Sequence, residues 1–348
     1  FRPRTQQTAM AQAVAQAIGD HARLVVEAGT GVGKTFAYLV PALLSGERVL
    51  VSTATKALQD QLHGRDLPLL LRALALRLRT ALLKGRASYL CRHRLQLARQ
   101  DQAAGNAPEL ARIELWAQAT QTGDLAELPG QDERSPVLAL VTSTRDNCLG
   151  QGCPRFADCH VYQARRQALA ADVLVINHHL FFADLDVRES GVARLLPSAG
   201  VVIFDEAHQL ADIASQFLGQ QFGTGQLHDL AQDLLAAGLR HARGLADWQG
   251  HAELLRQAAR QWRLLAADRA AVALPGRLRW TGLAPDGWDA ASWAGAMAGA
   301  VGALRTSLAA LDEVAALAPD LARLHERTVD LLARLARFSA HGDAQCVR

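Results

Sequence analysis

Three glycines, a lysine and a threonine are crowded into Glu27–Thr35, between a short apolar run and an apolar helical pattern. Glycine tolerates positive φ, so backbone N–H groups can turn inward toward an anion, and the following helix adds the positive end of its dipole. Lys34 would then reach the β- and γ-phosphates of a nucleotide, and the Thr35 hydroxyl would ligate Mg²⁺. The pattern predicts a phosphate-binding loop formed by Ala28, Gly29, Thr30, Gly31, Val32, Gly33, Lys34 and Thr35.

The loop departs from the strict G-x-x-x-x-G-K-T pattern, because its first position is Ala28. A glycine-rich turn without a ligand is the alternative. The lysine at position 34 favours the phosphate loop over this alternative, since only three of the 37 basic residues are lysines, at positions 34, 56 and 84. In a chain that uses arginine so heavily, a lysine marks a place where a compact ammonium is wanted.

A second candidate site follows the apolar segment Gly200–Phe204, which ends in Asp205-Glu206-Ala-His208. Adjacent carboxylates at the end of a strand allow Asp205 to hold Mg²⁺ while Glu206 polarises the water that attacks a γ-phosphate. His208 could form a hydrogen bond across a cleft and report the state of the nucleotide. The alternative, an acidic helix N-terminus, is weakened by the phosphate loop in the same chain.

Four cysteines could form one tetrahedral metal site: Cys91, then Cys148, Cys153 and Cys159 in a C-x4-C-x5-C spacing. From the residues alone, structural Zn²⁺ and an iron–sulfur cluster are equally good interpretations, and unrelated free thiols are a third. Cys346 stands apart and is expected to be an inert thiol.

The elements that position these residues indicate an α/β fold with a parallel sheet. Strand patterns precede the phosphate loop and the carboxylate pair, and helix patterns follow most of them. The predicted strands are Arg23–Val26, Arg48–Thr55, Ala171–Phe182 and Gly200–Phe204, and the predicted helices are Met10–Ile18, Phe36–Leu44, Lys56–Leu62 and Ile113–Ala119. At the end of the second strand, the hydroxyls of Ser52 and Thr53 suit either phosphate contact or helix capping.

From Phe222 onward the sequence has an Ala-, Leu- and Arg-rich helical periodicity, which predicts a separate all-α region. Five tryptophans are crowded there, and we interpret them as core residues in preference to base-stacking platforms. They are Trp248, Trp262, Trp280, Trp288 and Trp293.

Composition bounds the class of protein. The 348 residues are 50% hydrophobic, enough for two or three globular domains, and carry a net charge of +3. Between Leu62 and Gln100 basic residues greatly outnumber acidic ones, which suits either the binding of a polyanion or a solvated arginine-rich face.

No uninterrupted apolar run approaches the roughly 18 residues of a membrane span, so we expect no membrane and a cytoplasmic location. Cysteines in such a compartment favour metal over disulfides.

Taken together and in order, these motifs resemble the iron–sulfur superfamily 2 DNA helicases of the XPD/DinG type, most of all the bacterial DinG/YoaA branch. The resemblance runs from residue 2 to about residue 220. It rests on the loop and carboxylate motifs and also on Arg4 and Gln7, Ser52–Thr55, Lys84-Gly-Arg86 with the cysteines, and Asn177-His-His179.

The resemblance implies a RecA-like motor domain with two insertions. Its parts are the motor domain at 1–85 and 166–220, an iron–sulfur domain at 86–165 and a helical Arch domain at 221–348. It implies ATP, Mg²⁺ and a [4Fe–4S] cluster held by the four cysteines, with Arg4 and Gln7 reading the nucleotide base. The partner would be single-stranded DNA with a 5′ tail or a fork, in DNA repair or replication on a bacterial nucleoid.

The family also has a second RecA-like domain, with an arginine finger, for which this sequence has no counterpart. We therefore expect these 348 residues alone to hydrolyse ATP scarcely at all. The rival hypothesis is a nucleotide-gated binding module without motor activity.

Overall fold

The computed structural model describes residues 4–29, 31–100, 107–130, 132, 134–189, 195–218, 221–270 and 284–339. The chain divides into two units. The sheet unit comprises Phe1–Arg99, Ala103–Thr142 and Ala157–Gly219, and the helical unit comprises Gln100–Gln102, Ser143–Phe156 and Gln220–Arg348. The four-part domain division drawn from the sequence stays a prediction.

Parallel strands in the order β2-β3-β1-β4 form the sheet of the first unit. They are β1 Val49–Thr53, β2 Thr80–Leu82, β3 Val173–Asn177 and β4 Val201–Phe204. Val51 of β1 is level with Val175 of β3 and Ile203 of β4, so the carboxyl ends of three strands share one edge. The parallel sheet with its many helices confirms the predicted α/β class.

Alternation along the central strands supplies two cores. Val49 and Val51 face one side, where the helices Lys34–Leu44 and Leu67–Ala73 contribute Leu39, Leu43 and Leu67. Leu50, Leu174 and Ile176 face the other, against the helix His160–Ala170 and the segment around Leu196. Because both faces are covered, the central strands are almost continuously apolar, as the sequence showed.

The structure has a helix at each of the four positions predicted in the sheet unit, Met10–Ile18, Phe36–Leu44, Lys56–Leu62 and Ile113–Ala119. The other helices of this unit were not predicted, and one of them begins at His178, inside the predicted strand Ala171–Phe182, so that strand prediction was too long. The helices of the unit are α1 Thr5–Gly19, α2 Lys34–Leu44, α3 Lys56–Gln61, α4 Leu67–Ala73, α5 Arg92–Gln100, α6 Ala107–Ala119, α7 Val137–Val141, α8 His160–Ala170, α9 His178–Glu189 and α10 Leu210–Leu218. A π-helical turn, Leu62–Asp66, joins α3 to α4.

The predicted strand Arg23–Val26 is wrong in this structure. The segment has no regular secondary structure, and Val25 is 97% exposed. A strand needs a neighbouring edge to pair with, so a short apolar run is a weak predictor by itself. Conversely, the three-residue strand β2 has no apolar alternation and was not predicted.

A small separate core lies in the part of the sheet unit that follows β2. Leu90, Ile113, Val137 and Val141 are its most buried members, and α5, α6 and α7 supply most of the others. This core gives residues 90–141 a packing centre of their own, apart from the two faces of the sheet.

Long helices with one common core make up most of the helical unit. Trp248 and Trp293 are buried in it, Trp262 and Trp288 pack against it, and Trp280 lies outside the described residues. The core interpretation of these four tryptophans is therefore confirmed. The helices are α11 Thr224–His241, α12 Trp248–Ala270, α13 Ala290–Asp312 and α14 Pro319–Ser339.

Within the described part of the chain, helix α13 is the one segment long and apolar enough to cross a membrane. A third of its most apolar window is buried, and Trp293, Met297 and Leu304 belong to the helical core. A core helix of a soluble protein passes the same length and composition test, so this is weak support for a membrane span.

Candidate functional site

The glycine-rich loop has the backbone expected of an anion-binding turn. Gly31 and Gly33 have φ values of 80° and 88°, in the region that side chains other than glycine rarely adopt. Helix α2 begins at Lys34 directly after Gly33, so the loop ends at a helix N-terminus. Thr30 lies outside the described residues. Ala28, Gly29 and Val32 form the irregular backbone around the two turns.

Gln7 lies against this loop. Its Nε2 donates a hydrogen bond to the carbonyl oxygen of Gly33 at 3.0 Å, and a Cβ atom at Gly33 would collide with the Gln7 amide. Arg4 is exposed and immediately precedes α1. Gln7 therefore has a structural role in holding the loop, and the base-reading role of both residues stays a prediction.

The two nucleotide motifs meet at Glu206. Lys34 Nζ lies 3.6 Å from Glu206 Oε1, and His208 Nδ1 lies 3.5 Å from Glu206 Oε2. Glu206 has φ 56° and ψ 44°, a left-handed conformation that is uncommon outside glycine and asparagine. The carboxylate thus sits between two potential cations, next to the phosphate loop.

Asp205, directly before Glu206, is partly buried. Burial and then the neighbouring Glu206 carboxylate raise the pKa of Asp205, and the charge of Lys34 only partly opposes them. A carboxylate that is costly to ionise here would be relieved by a bound divalent cation. Burial and then Asp205 likewise raise the pKa of the Tyr38 phenol.

Tyr38 was not predicted as a site residue. Its hydroxyl is buried near Thr35 and Asp205 but forms no hydrogen bond of normal length. Tyr38 follows Lys34 by four positions and so shares its helix face. A tyrosine in an otherwise apolar helix pattern was the feature of the sequence that could have revealed it.

Ser52 and Thr53 do not act as the sequence suggested. Both are fully buried, so neither is open to a phosphate, and neither caps a helix. Thr55 caps α3 instead, with its hydroxyl accepting a hydrogen bond from Leu58 N at 3.2 Å. The Ser52 hydroxyl lies 2.7 Å from Nδ1 of His178, a pairing that the sequence analysis missed.

Lys84 is a buried cation, 3% exposed, at the end of β2. Its Nζ lies 2.7 Å from Asp60 Oδ1 and 2.6 Å from Asp124 Oδ2. Burial lowers the pKa of this ammonium, but the two carboxylates outweigh it, and the net effect is a raised pKa. Lys84 therefore links helix α3, which contains Asp60, to the segment around Asp124.

The four cysteines are half-buried thiols without disulfides, as a metal site requires. They are divided between the units: Cys91 and Cys159 lie in the sheet unit, and Cys148 and Cys153 lie in the helical unit. Within the described residues, no three Cys, His, Asp or Glu side chains gather into a group that could hold a metal ion. Four thiols are the donors that an iron–sulfur cluster or Zn²⁺ takes, so the residues themselves fit such a group. Cys346 lies outside the described residues.

Arg323 of α14 holds the loop before Cys148. Its guanidinium donates to the carbonyl oxygens of Asp146 at 3.0 Å and Arg145 at 2.6 Å. In the sheet unit, the Cys91 N–H donates to the carbonyl of Val141 at 2.8 Å. The protein thus secures the backbone beside at least two of the cysteines.

Two arginines near Cys91 also donate hydrogen bonds to backbone carbonyl oxygens. Arg92 donates to the carbonyl of Ala117 at 2.9 Å, and Arg94 donates to that of Ala139 at 3.5 Å. These bonds tie α5 to the neighbouring helices of the small core. Arg92 therefore has a structural task that the basic run in the sequence did not reveal.

Comparison with known proteins supports the same motifs. Residues 4–101 match the family model described as DEAD/DEAH box helicase. The chain is 51% identical over 67% of its length to the ATP-dependent DNA helicase YoaA of Haemophilus influenzae, and 49% identical over 76% to that of Escherichia coli. It is 41% identical over 60% to the ATP-dependent helicase DinG of Mycobacterium tuberculosis.

The matched region covers 37%, 42% and 34% of these three relatives, so the chain spans well under half of their length. The relatives nevertheless match the branch that the motifs indicated. Residues 4–101 thus match the DEAD/DEAH box helicase model and the chain is similar to the YoaA and DinG helicases, which confirms the resemblance drawn from its sequence.

Proposed function

We propose that this chain is the ATP-binding motor portion of a DNA helicase that moves 5′ to 3′ on single-stranded DNA. The observation that carries the proposal is the approach of Lys34 to Glu206 at 3.6 Å. A phosphate-binding lysine and a candidate base from distant parts of the sequence meet at one edge of a parallel sheet, as ATP hydrolysis requires.

The described residues divide the work by position. The loop N–H groups and Lys34 would bind the β- and γ-phosphates, and Glu206 would orient and polarise the attacking water. Thr35 and Asp205 would hold Mg²⁺, which neutralises charge on the phosphates when it is bound. Lys34 would exchange its contact with Glu206 for phosphate oxygens, which frees the Glu206 carboxylate to accept a proton from water. His208, 69% exposed, could contact a group on the far side of the nucleotide.

A [4Fe–4S] cluster held by Cys91, Cys148, Cys153 and Cys159 is the second part of the proposal. Support comes from the cysteine spacing, the resemblance to the family and the half-buried thiols. Zinc in the same site is the alternative, and metal analysis distinguishes the two.

The substrate, location and pathway follow from the resemblance. We infer that the native protein acts on single-stranded DNA at a 5′ tail or fork, in repair or replication, in the cytoplasm on the bacterial nucleoid. The relatives named as DNA helicases support DNA as the nucleic acid.

The test is unwinding by the native protein that contains these residues, on duplexes with a 5′ tail or a 3′ tail. We expect ATP-dependent unwinding of the 5′-tailed duplex, and its loss in Glu206→Gln. Nucleotide-dependent DNA binding without any unwinding would favour the binding-module alternative. Preference for the 3′ tail would overturn the proposed direction.

A further inference from the structure

His178 occupies a fully buried position at the start of α9, directly after β3. Its Nδ1 is 2.7 Å from the Ser52 hydroxyl on β1. Ser52 is also joined to the carboxylate motif, because its carbonyl oxygen accepts a hydrogen bond from Asp205 N at 2.8 Å. One residue of β1 is therefore in contact with both His178 and the Asp205–Glu206 turn.

The imidazole also lies beside this turn, because its ring centroid is 6.1 Å from that of Phe204, the residue directly before Asp205. Burial lowers the pKa of the His178 imidazole, and its interactions with the backbone carbonyls of Asp205 and Glu206 only partly oppose this effect. Nε2 is buried and has no hydrogen bond of normal length. With Nδ1 occupied by Ser52, Nε2 is the atom left to interact with these carbonyls.

The turn itself needs support. Glu206 is one of three residues other than glycine with positive φ in the described chain. Such a backbone is strained and persists only where its surroundings hold it in place. If the turn relaxed, the carboxylates of Asp205 and Glu206 would both change direction, since they flank the same peptide.

We propose that His178 is a positioning residue whose neutral ring, fixed by Ser52 at Nδ1, donates its Nε2–H to the carbonyls of the Asp205–Glu206 turn and so aims both carboxylates at the nucleotide site. This deepens the proposed function and depends on it for its catalytic meaning. In this role His178 acts on the nucleotide site only through the turn.

Spectroscopy of the nucleotide-free chain tests the hydrogen-bonding arrangement. Two-dimensional NMR of protein with ¹⁵N-labelled histidine should show His178 as the Nε2–H tautomer, identified by loss of its resonances in His178→Gln. A Nδ1–H tautomer would overturn the proposal, because the ring could not then donate to the turn. This arm does not depend on ATP binding.

Nucleotide binding tests the consequence with two matched amides. The amide of His178→Gln lies near the Nε2 position, whereas that of His178→Asn lies near Nδ1 and reaches only toward Ser52. For each variant, affinity for a fluorescent ATP analogue is measured with Mg²⁺ and with EDTA, and the ratio reports coupling between metal and nucleotide. We expect His178→Asn to reduce this ratio by about 10-fold or more, as loss of residues that orient metal ligands does. His178→Gln should retain most of the ratio.

The affinity in EDTA should be unchanged in both variants, since the loop and Lys34 are untouched. Two outcomes would overturn the positioning role. Either both variants keep the wild-type ratio of the affinities in Mg²⁺ and in EDTA, or both lose it to the same extent as their melting temperatures fall. If the wild-type chain itself shows no nucleotide binding, the proposed function fails, and the tautomer measurement still decides the arrangement at His178.

Discussion

The ammonium of Lys34 lies 3.6 Å from Oε1 of Glu206, joining the start of α2 to the turn after β4. Both side chains are about one-third exposed, so the contact is open to solvent and weak in itself. Its importance is geometric, because it brings the phosphate-binding cation and the candidate base to one place. A nucleotide phosphate would compete with Glu206 for Lys34.

Lys84→Met should destabilise the sheet unit by about 2–3 kcal/mol. The change leaves Asp60 and Asp124 without their shared cation, and the cost stays below the 3–5 kcal/mol of fully buried pairs because Asp60 is 45% exposed. Urea denaturation measures the difference, and the exposed Lys56→Met is the control, expected to lie within about 0.5 kcal/mol of the wild type.

The difference in stability between the wild type and Lys84→Met should depend on pH. Since the pKa of Lys84 is raised above its ordinary value of 10.5, its stabilising contribution is fully present below that pH. It is lost as the pH rises through the raised pKa, so the gap between wild type and Lys84→Met should narrow only in strongly alkaline buffer. A gap that narrows near neutral pH would contradict the ion-pair explanation.

The cysteine hypothesis predicts a cooperative loss of metal. Changing any one of Cys91, Cys148, Cys153 or Cys159 to serine should remove iron and sulfide, because an incomplete shell cannot hold the cluster. Cys346→Ser is the control and should retain both. The measurement is an assay of iron and sulfide in protein purified without oxygen. Iron retained in Cys91→Ser would show that Cys91 is not a ligand. Zinc in place of iron in the wild type would favour the structural zinc site.

Salt dependence separates arginines that bind DNA from those that hold the fold. Replacing Arg86, Arg92 and Arg94 together should flatten the log–log slope of single-stranded DNA affinity by up to about two, at roughly 0.7 per phosphate contact. Arg92→Ala alone should also lower the melting temperature, because its guanidinium bonds the Ala117 carbonyl. Arg86→Ala should change the slope without changing the melting temperature. Anisotropy of labelled DNA across a salt series measures this, and an unchanged slope in the triple variant would exclude DNA contacts.

Gly238→Ala should destabilise the helical unit by about 1–3 kcal/mol, the usual cost of overpacking. A Cβ atom there would collide with the indole of Trp248, which packs over the glycine in α11. Gly302 lies in α13 with open space around it, so Gly302→Ala is the matched control and should stabilise by about 0.5–1 kcal/mol. Thermal unfolding of both variants is the measurement; equal effects of the same sign would mean that Trp248 does not determine the cost.

Much of the sheet unit could be predicted because its features are local. The strands around Val51 and Val175 are continuous apolar runs. Gly33, directly before Lys34, has the positive φ that a glycine at this place in the loop predicts. These patterns depend on neighbours in the sequence, and the structure confirms them.

The failures concern contacts between distant parts of the chain. The segment ending at Val26 is apolar, yet strand formation depends on an edge that no local pattern specifies. Ser52 looked like a capping or phosphate-binding residue, because nothing in its neighbourhood revealed His178 as its partner. Lys84 stood out only as a rare lysine, and its two carboxylates come from separate segments.

The most direct measurement of the central claim is titration of the chain with a fluorescent ATP analogue in the presence of Mg²⁺. Wild type and the control Lys56→Ala should bind, whereas Lys34→Ala should lose binding while its circular dichroism spectrum stays normal, because Lys34 supplies charge to phosphate and little to the core. Unchanged affinity in a folded Lys34→Ala chain would contradict the assignment of the phosphate loop and, with it, the proposal of an ATP-driven motor.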